Sequence, residues 1–166
     1  MAWIKVCILG VLAFLLNSCG IYSLSGASIS PEMKTFSVIQ FPNNAEFVAP
    51  QLAQVLSDKM RNKILTETRL SMVPNAGDAH FEGAIVGYTV APSSVVAGER
   101  TSVNRLTIRV KVSFVNAKDP KQNYEQEFSR FADFTRPTLA EVENQLIDEI
   151  TKQLVDDIFN RTFINW

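Results

Sequence analysis

The sequence is short of the residues from which most catalytic and metal centres are built. It holds one histidine and two cysteines in 166 residues. A lone imidazole, with no second histidine and no cysteine left to join it, cannot assemble a zinc site. His80, at a strand start beside Phe81 and Glu82, therefore reads as a strand surface residue. A basic surplus is also missing: 16 Lys and Arg face 17 Asp and Glu. Nucleic-acid binding needs such a surplus to displace counterions, so nucleic acid is excluded as a partner. There is no internal repeat, no low-complexity tract, no G-x-S-x-G elbow, no Walker loop and no dinucleotide fingerprint. Glu125 and Glu127 share a strand face, as an acid/base pair would, but Arg109 and Lys111 across a hairpin account for them better. Asp156 and Asp157 read as the solvated side of the last helix. With no nucleophile, base and oxyanion site brought together, the chain is expected to be neither an enzyme nor the carrier of a dissociable cofactor.

Long apolar runs are missing too, except at the N-terminus. Lys5 is the only charge before an almost wholly apolar stretch, Val6 to Leu16. At 1.5 Å per residue that stretch is roughly half the thickness of a bilayer's hydrocarbon, too short to span and suited to the core of a signal peptide. It runs into Leu16-Asn17-Ser18-Cys19, which resembles the lipobox of bacterial lipoproteins. The resemblance implies that the Cys19 thiol, the most nucleophilic side chain near neutral pH, takes a diacylglycerol. Residues 1–18 are then cut away and the new amine is acylated. A plain secretory signal with an incidental cysteine is the competing reading. Cys7 leaves with the leader, so no disulfide can form within the mature chain and its fold must rest on an apolar core. No acidic residue follows Cys19, a pattern that in lipoproteins resembles sorting to the outer membrane with the domain facing the periplasm.

Removing the leader removes Lys5 alone from the sixteen basic residues, leaving fifteen against seventeen acidic. Residues 19–33, rich in Ser, Gly and Ala, read as a lipidated tether, and residues 34–166 as one domain. Thr35 to Phe41 alternates as a strand does. A helix follows, with Pro50 in its first turn and Val48, Leu52, Val55, Leu56, Met60 and Ile64 as its apolar stripe to about Thr66. A short strand is expected around Leu70 to Val73, then longer ones over 79–91, 103–116 and 124–134. The 103–116 strand sets Leu106, Ile108, Val110, Val112 and Phe114 against Arg105, Thr107, Arg109, Lys111 and Ser113, the signature of a half-wet antiparallel strand. Thr138 and Glu141 form a capping-box pattern ahead of a closing amphipathic helix with Leu139, Val142, Leu146, Ile150, Leu154 and Ile158 on one face. The order β-α-β-β-β-β-α argues against a doubly wound sheet. It predicts an α+β two-layer sandwich, two amphipathic helices on one face of a mixed sheet, with the other face polar and open to water or to a partner.

The polar feature of most interest is the cation set Arg100, Arg105, Arg109 and Lys111, because arginine forks match phosphates. Cross-strand pairing with Glu125, Glu127 and Asp133 is the competing account. Arg100, in the loop Ala97-Gly98-Glu99-Arg100, is the least tied to a strand.

Several segments together resemble one family. They are the lipobox with Cys19-Gly20-Ile21-Tyr22 and Gly26; His80-Phe81-Glu82-Gly83 with Ile85, Gly87 and Tyr88; Asn104-Arg105-Leu106-Thr107-Ile108; and Asp157-Ile158-Phe159-Asn160 with Asn165-Trp166. The set resembles the lipopolysaccharide-assembly lipoproteins of the LptE family, in their Bacteroidetes form. The resemblance implies a non-catalytic plug within the lumen of the outer-membrane barrel LptD. It further implies help in assembling that barrel and in inserting lipopolysaccharide into the outer leaflet, with palmitate-type acylation at Cys19 and no other cofactor. Arg100, Arg105 and Arg109 are then the candidate lipopolysaccharide contacts. An accessory lipoprotein of another lipid-transport or secretion complex, also non-catalytic, is the competing assignment.

Overall fold

The computed structural model describes residues 29–47, 49–95, 102–135 and 138–164. Five strands, β1 (Thr35–Val38), β2 (Ser71–Met72), β3 (Ala79–Val95), β4 (Ser102–Asn116) and β5 (Tyr124–Phe134), form one sheet in the order β2-β1-β3-β4-β5. β1 runs parallel to both β2 and β3, whereas β3, β4 and β5 are an antiparallel meander. Two helices, α1 (Leu52–Glu67) and α2 (Glu143–Phe163), cover one face. The α+β class, the mixed sheet and the element order match the reading of the sequence.

Periodicity decides which residues are inside. Leu52, Leu56, Met60 and Ile64 are spaced by four and are all buried, as are Leu146, Ile150, Leu154 and Ile158 on α2. The facing side of the sheet supplies Phe36, Phe81, Ile85, the alternate residues Leu106 to Phe114 of β4, and Phe128. Each such side chain contributes roughly 1.5–3 kcal/mol on burial. Aromatic rings tie α2 to the sheet: Phe114 lies 4.9 Å from Phe81, 5.5 Å from Tyr124 and 6.5 Å from Phe163, centroid to centroid. Tyr124 donates to Thr162 Oγ1, itself a donor to the Ile158 carbonyl, so the hydroxyls inside the core are all satisfied along this line. Ile29 and Met33 also pack on the core, so packing begins within the segment read as tether up to residue 33.

Four local expectations change. β1 ends at Val38 rather than Phe41, because Phe41 turns into the core beneath Gly83. A Cβ at Gly83 would collide with the Lys111 carbonyl and lie 2.8 Å from the Phe41 ring, so the close approach requires glycine here. Thr138 does not cap α2: its hydroxyl goes to the Glu141 carboxylate, residues Leu139–Glu141 make a separate 3₁₀ turn, and the α-helix starts at Glu143. Asp156 and Asp157 are not simply solvated. Asp156 meets Lys63 of α1 at 2.9 Å, and Asp157 takes a two-pronged bond from Arg130 of β5 at 2.5 and 2.6 Å. The fourth change is at His80, which Ser37 holds in place, as described below. Val48 of the α1 stripe lies outside the described residues.

Asp78 ties the start of β1 to the start of β3. Its carboxylate accepts from Lys34 N at 2.9 Å, Thr35 N and Thr35 Oγ1 at 3.0 Å, and Lys118 Nζ at 3.1 Å. These donors, the Lys34 amide first, hold the Asp78 carboxyl well below the ordinary aspartate range. A carboxyl depressed in the folded state stabilises the fold at pH values above its unfolded pKa, about 4, and that stabilisation drains away as pH falls toward the folded value. Asp78→Asn is therefore expected to lower the melting temperature at pH 7, with the gap to wild type narrowing below about pH 4. A gap that stays constant from pH 7 to pH 2 would refute this assignment.

Candidate functional site

Over β3, β4 and β5 the face of the sheet away from the helices is bare among the described residues. It is built by the alternate residues that the core does not use: Arg105, Thr107, Arg109, Lys111 and Ser113 of β4, Glu125, Glu127, Ser129, Phe131 and Asp133 of β5, and the smaller Ala84, Gly87, Thr89 and Ala91 with Glu82 and His80 of β3. Strand register places these in rows, so cation and carboxylate stand side by side.

Three ion pairs run down the face. Arg105 grips Asp133 through Nε and Nη2 at 2.7 and 2.9 Å, and its guanidinium lies 3.6 Å above the Phe131 ring. Arg109 Nη1 reaches Glu127 at 3.1 Å, one step off its direct partner Ser129, and lies flat over Gly87, where a Cβ would sit 2.5 Å from Nε. Lys111 Nζ meets Glu125 at 2.6 Å. The Asp133 partnership holds the Arg105 guanidinium above, and the Asp133 carboxyl below, their ordinary pKa values. The result is a flat, polar face on which these three cations and three carboxylates cancel, with Phe131 48% exposed at one end.

Of the sequence candidates, Arg105 and Arg109 fall together on this face, two residues apart on β4. Arg100 and Cys19 lie outside the described residues. The carboxylates Glu125 and Glu127 do face Lys111 and Arg109, as their spacing implied. His80 is also on this face, but it is more than a surface residue: Ser37 Oγ accepts from Gly77 N at 2.9 Å and contacts His80 Nδ1 at 2.6 Å, while His80 Nε2 lies 3.8 Å from Glu82. A serine, a histidine and a glutamate in series suggest nucleophilic chemistry. Ser37 is wholly buried, however, with the Gly77 amide on its oxygen, and no substrate can reach it. The arrangement clamps β1 to β3.

Sequence reasoning missed a cleft at the opposite end of the face from Phe131. It is about 430 Å³, and Ile39, Pro42, Ala84, Lys111, Glu82 and Glu125 are among its walls. The cleft exists because the parallel ladder between the first segment and β3 is interrupted. Ile39 N bonds to the Phe81 carbonyl and Ile85 N to the Pro42 carbonyl, and between these points the chain dives to bury Phe41. Only the phase switch between the consecutive apolar residues Val38 and Ile39, ahead of Phe41, could have signalled it.

Among the described residues no group of His, Cys, Asp and Glu is placed to hold a metal, and no helix is long and apolar enough to cross a membrane. The profile of the family described as LptE, lipopolysaccharide-assembly, matches residues 33–162. No curated protein matches the chain significantly. Among solved structures, it is similar to a minor lipoprotein of Acinetobacter baumannii, with a TM-score of 0.51 at 12% identity over 78% of this chain and 91% of that one. It is similar also to a protein of Xanthomonas campestris, with a TM-score of 0.51 at 11% identity over 80% and 88% of the two chains. At these identities the likeness concerns the fold alone.

Proposed function

Because the chain belongs to the LptE lipopolysaccharide-assembly family, we propose that it is a non-catalytic outer-membrane lipoprotein that plugs an LptD-type β-barrel, helps that barrel assemble and assists insertion of lipopolysaccharide into the outer leaflet. The observation that carries this reading is the family match over residues 33–162, nearly the whole packed domain. The bare sheet face supports it. Interiors of outer-membrane barrels are polar, and a rigid, hydrogen-bonding face on which most charges are paired suits them better than an apolar one would. Acylation at Cys19 would hold the domain on the periplasmic side of the membrane or inside the lumen, raising its local concentration where the barrel inserts.

Contacts to lipid phosphates would fall to Arg100, Arg105 and Arg109. For Arg105 and Arg109 this means exchanging Asp133 and Glu127 for phosphate. Both pairs are half-exposed, and surface pairs of this kind contribute little, so the exchange costs little.

The test is affinity purification of the full-length lipidated chain from detergent-solubilised membranes of its own host. Recovery of an outer-membrane barrel of roughly 16–26 strands in stoichiometric amount is expected. Recovery of an inner-membrane transporter complex instead would overturn the plug and favour an accessory lipoprotein of another transport or secretion system.

A further inference from the structure

We infer that the cleft beside β3 is a socket for a basic side chain, arginine or lysine, projected by the barrel wall, and that Glu82 is its acceptor. The inference rests on the plug reading and adds to it the face, and the residue, through which the partner is met. On this sheet face Arg105, Arg109 and Lys111 each have a carboxylate of their own. Glu82 is the carboxylate left over. It is 55% exposed, and its one counter-charge among the described residues is His80 at 3.8 Å, which is cationic only when protonated. The face therefore carries one uncompensated negative charge, and it stands at the cleft.

The walls suit the stem of a long cation as well as its head. Ile39, Pro42 and Ala84 offer apolar surface on one side, where the methylenes of arginine or lysine can lie. Lys111 is held against Glu125 at 2.6 Å, so the pair closes the far wall without a competing free charge. An acidic side chain entering from a partner would meet the unmatched Glu82, since Glu125 is already taken by Lys111. An apolar one would leave the Glu82 carboxylate desolvated without a partner, which is costly. A basic side chain satisfies both the charge and the shape.

The experiment uses the full-length lipidated chain in its host, with barrel recovered per chain as the readout. Glu82→Lys is expected to reduce recovery about tenfold, through loss of one attractive pair and gain of a repulsion, and Glu82→Gln by a smaller factor. Glu149→Lys, the same charge reversal on the exposed side of α2, is expected to leave recovery unchanged. Thermal melts of each variant check that the fold is intact. A photo-reactive residue at Ser113, on the cleft wall, is expected to cross-link to a barrel peptide containing Arg or Lys, while one at Asn62 on α1 is not. Wild-type recovery by a folded Glu82→Lys chain overturns the socket and leaves the plug standing. Cross-linking from Asn62 and not from Ser113 does the same. If the unaltered chain recovers no barrel, the plug reading falls and the socket's partner falls with it.

Discussion

Replacing Cys19 with alanine is expected to leave an unlipidated, mislocalised precursor that still carries residues 1–18. Its amount in the outer-membrane fraction should fall by at least about 100-fold. The magnitude follows from chain count. One acyl chain gives only marginal, reversible membrane binding, with a partition constant on the order of 10⁴ M⁻¹, and each further buried methylene adds about 0.8 kcal/mol. If Cys19 carries three chains, the two extra ones turn a labile association into a permanent one, and removing the sulfur removes all three, since amine acylation follows cleavage. The loss should carry through to function, because tethering can raise apparent affinity by about 10²–10⁴-fold without adding any contact. Intact-mass measurement on membrane and soluble fractions reads both effects. A Cys19→Ala chain that is still cut before residue 19 and still sediments with the outer membrane would show that the cysteine is incidental. Inhibition of the lipoprotein signal peptidase should make the same uncut form accumulate from the wild-type gene.

The fold was legible where periodicity is strong and local. Leu52, Leu56, Met60 and Ile64 on α1 and the alternation from Leu106 to Phe114 on β4 each determine which side is buried, whatever their neighbours do. It was less legible where a tertiary contact overrides the local pattern. Thr35 to Phe41 alternates well enough for seven residues of strand, yet Phe41 gains more from burial beneath Gly83 than from continuing the ladder. Thr138 and Glu141 have capping-box spacing, but their side chains satisfy each other and leave the helix to start at Glu143.

The candidate surface was legible in part for the same reason. A two-residue period places Arg105, Arg109 and Lys111 on one side of β4 without any knowledge of the fold. Which carboxylate each would meet depends on register and on diagonal reach: Arg109 passes over its direct neighbour Ser129 to Glu127, and Lys111 passes over Glu127 to Glu125. Glu82 could not be identified as the carboxylate left over until those partnerships were known. The cleft beside it arises from a chain crossing whose one local trace is the phase switch between Val38 and Ile39.

Phe114→Ala is expected to be the most damaging single substitution in the packed domain, at about 3–5 kcal/mol. The ring is almost wholly buried and sits where β3, β5 and α2 converge, touching Phe81, Tyr124 and Phe163. Truncation removes the transfer energy of a benzyl group and leaves a cavity that cannot collapse easily. The surrounding rings are held from separate elements, and Tyr124 is also fixed by its bond to Thr162 at 2.7 Å. Both cysteines, Cys7 and Cys19, lie outside the packed domain, so no disulfide within it offsets the loss. A drop of this size corresponds to a melting temperature lower by roughly 10 °C or more in a domain of this length, and to a lower urea midpoint at unchanged slope. Phe114→Leu keeps most of the volume and should cost less than half as much, whereas Glu149→Ala on the exposed side of α2 should stay within about 0.5 kcal/mol of wild type. If Phe114→Ala melts within a few degrees of wild type, the aromatic cluster is not what joins α2 to the sheet, and the rigidity on which a plug and its socket depend must come from elsewhere.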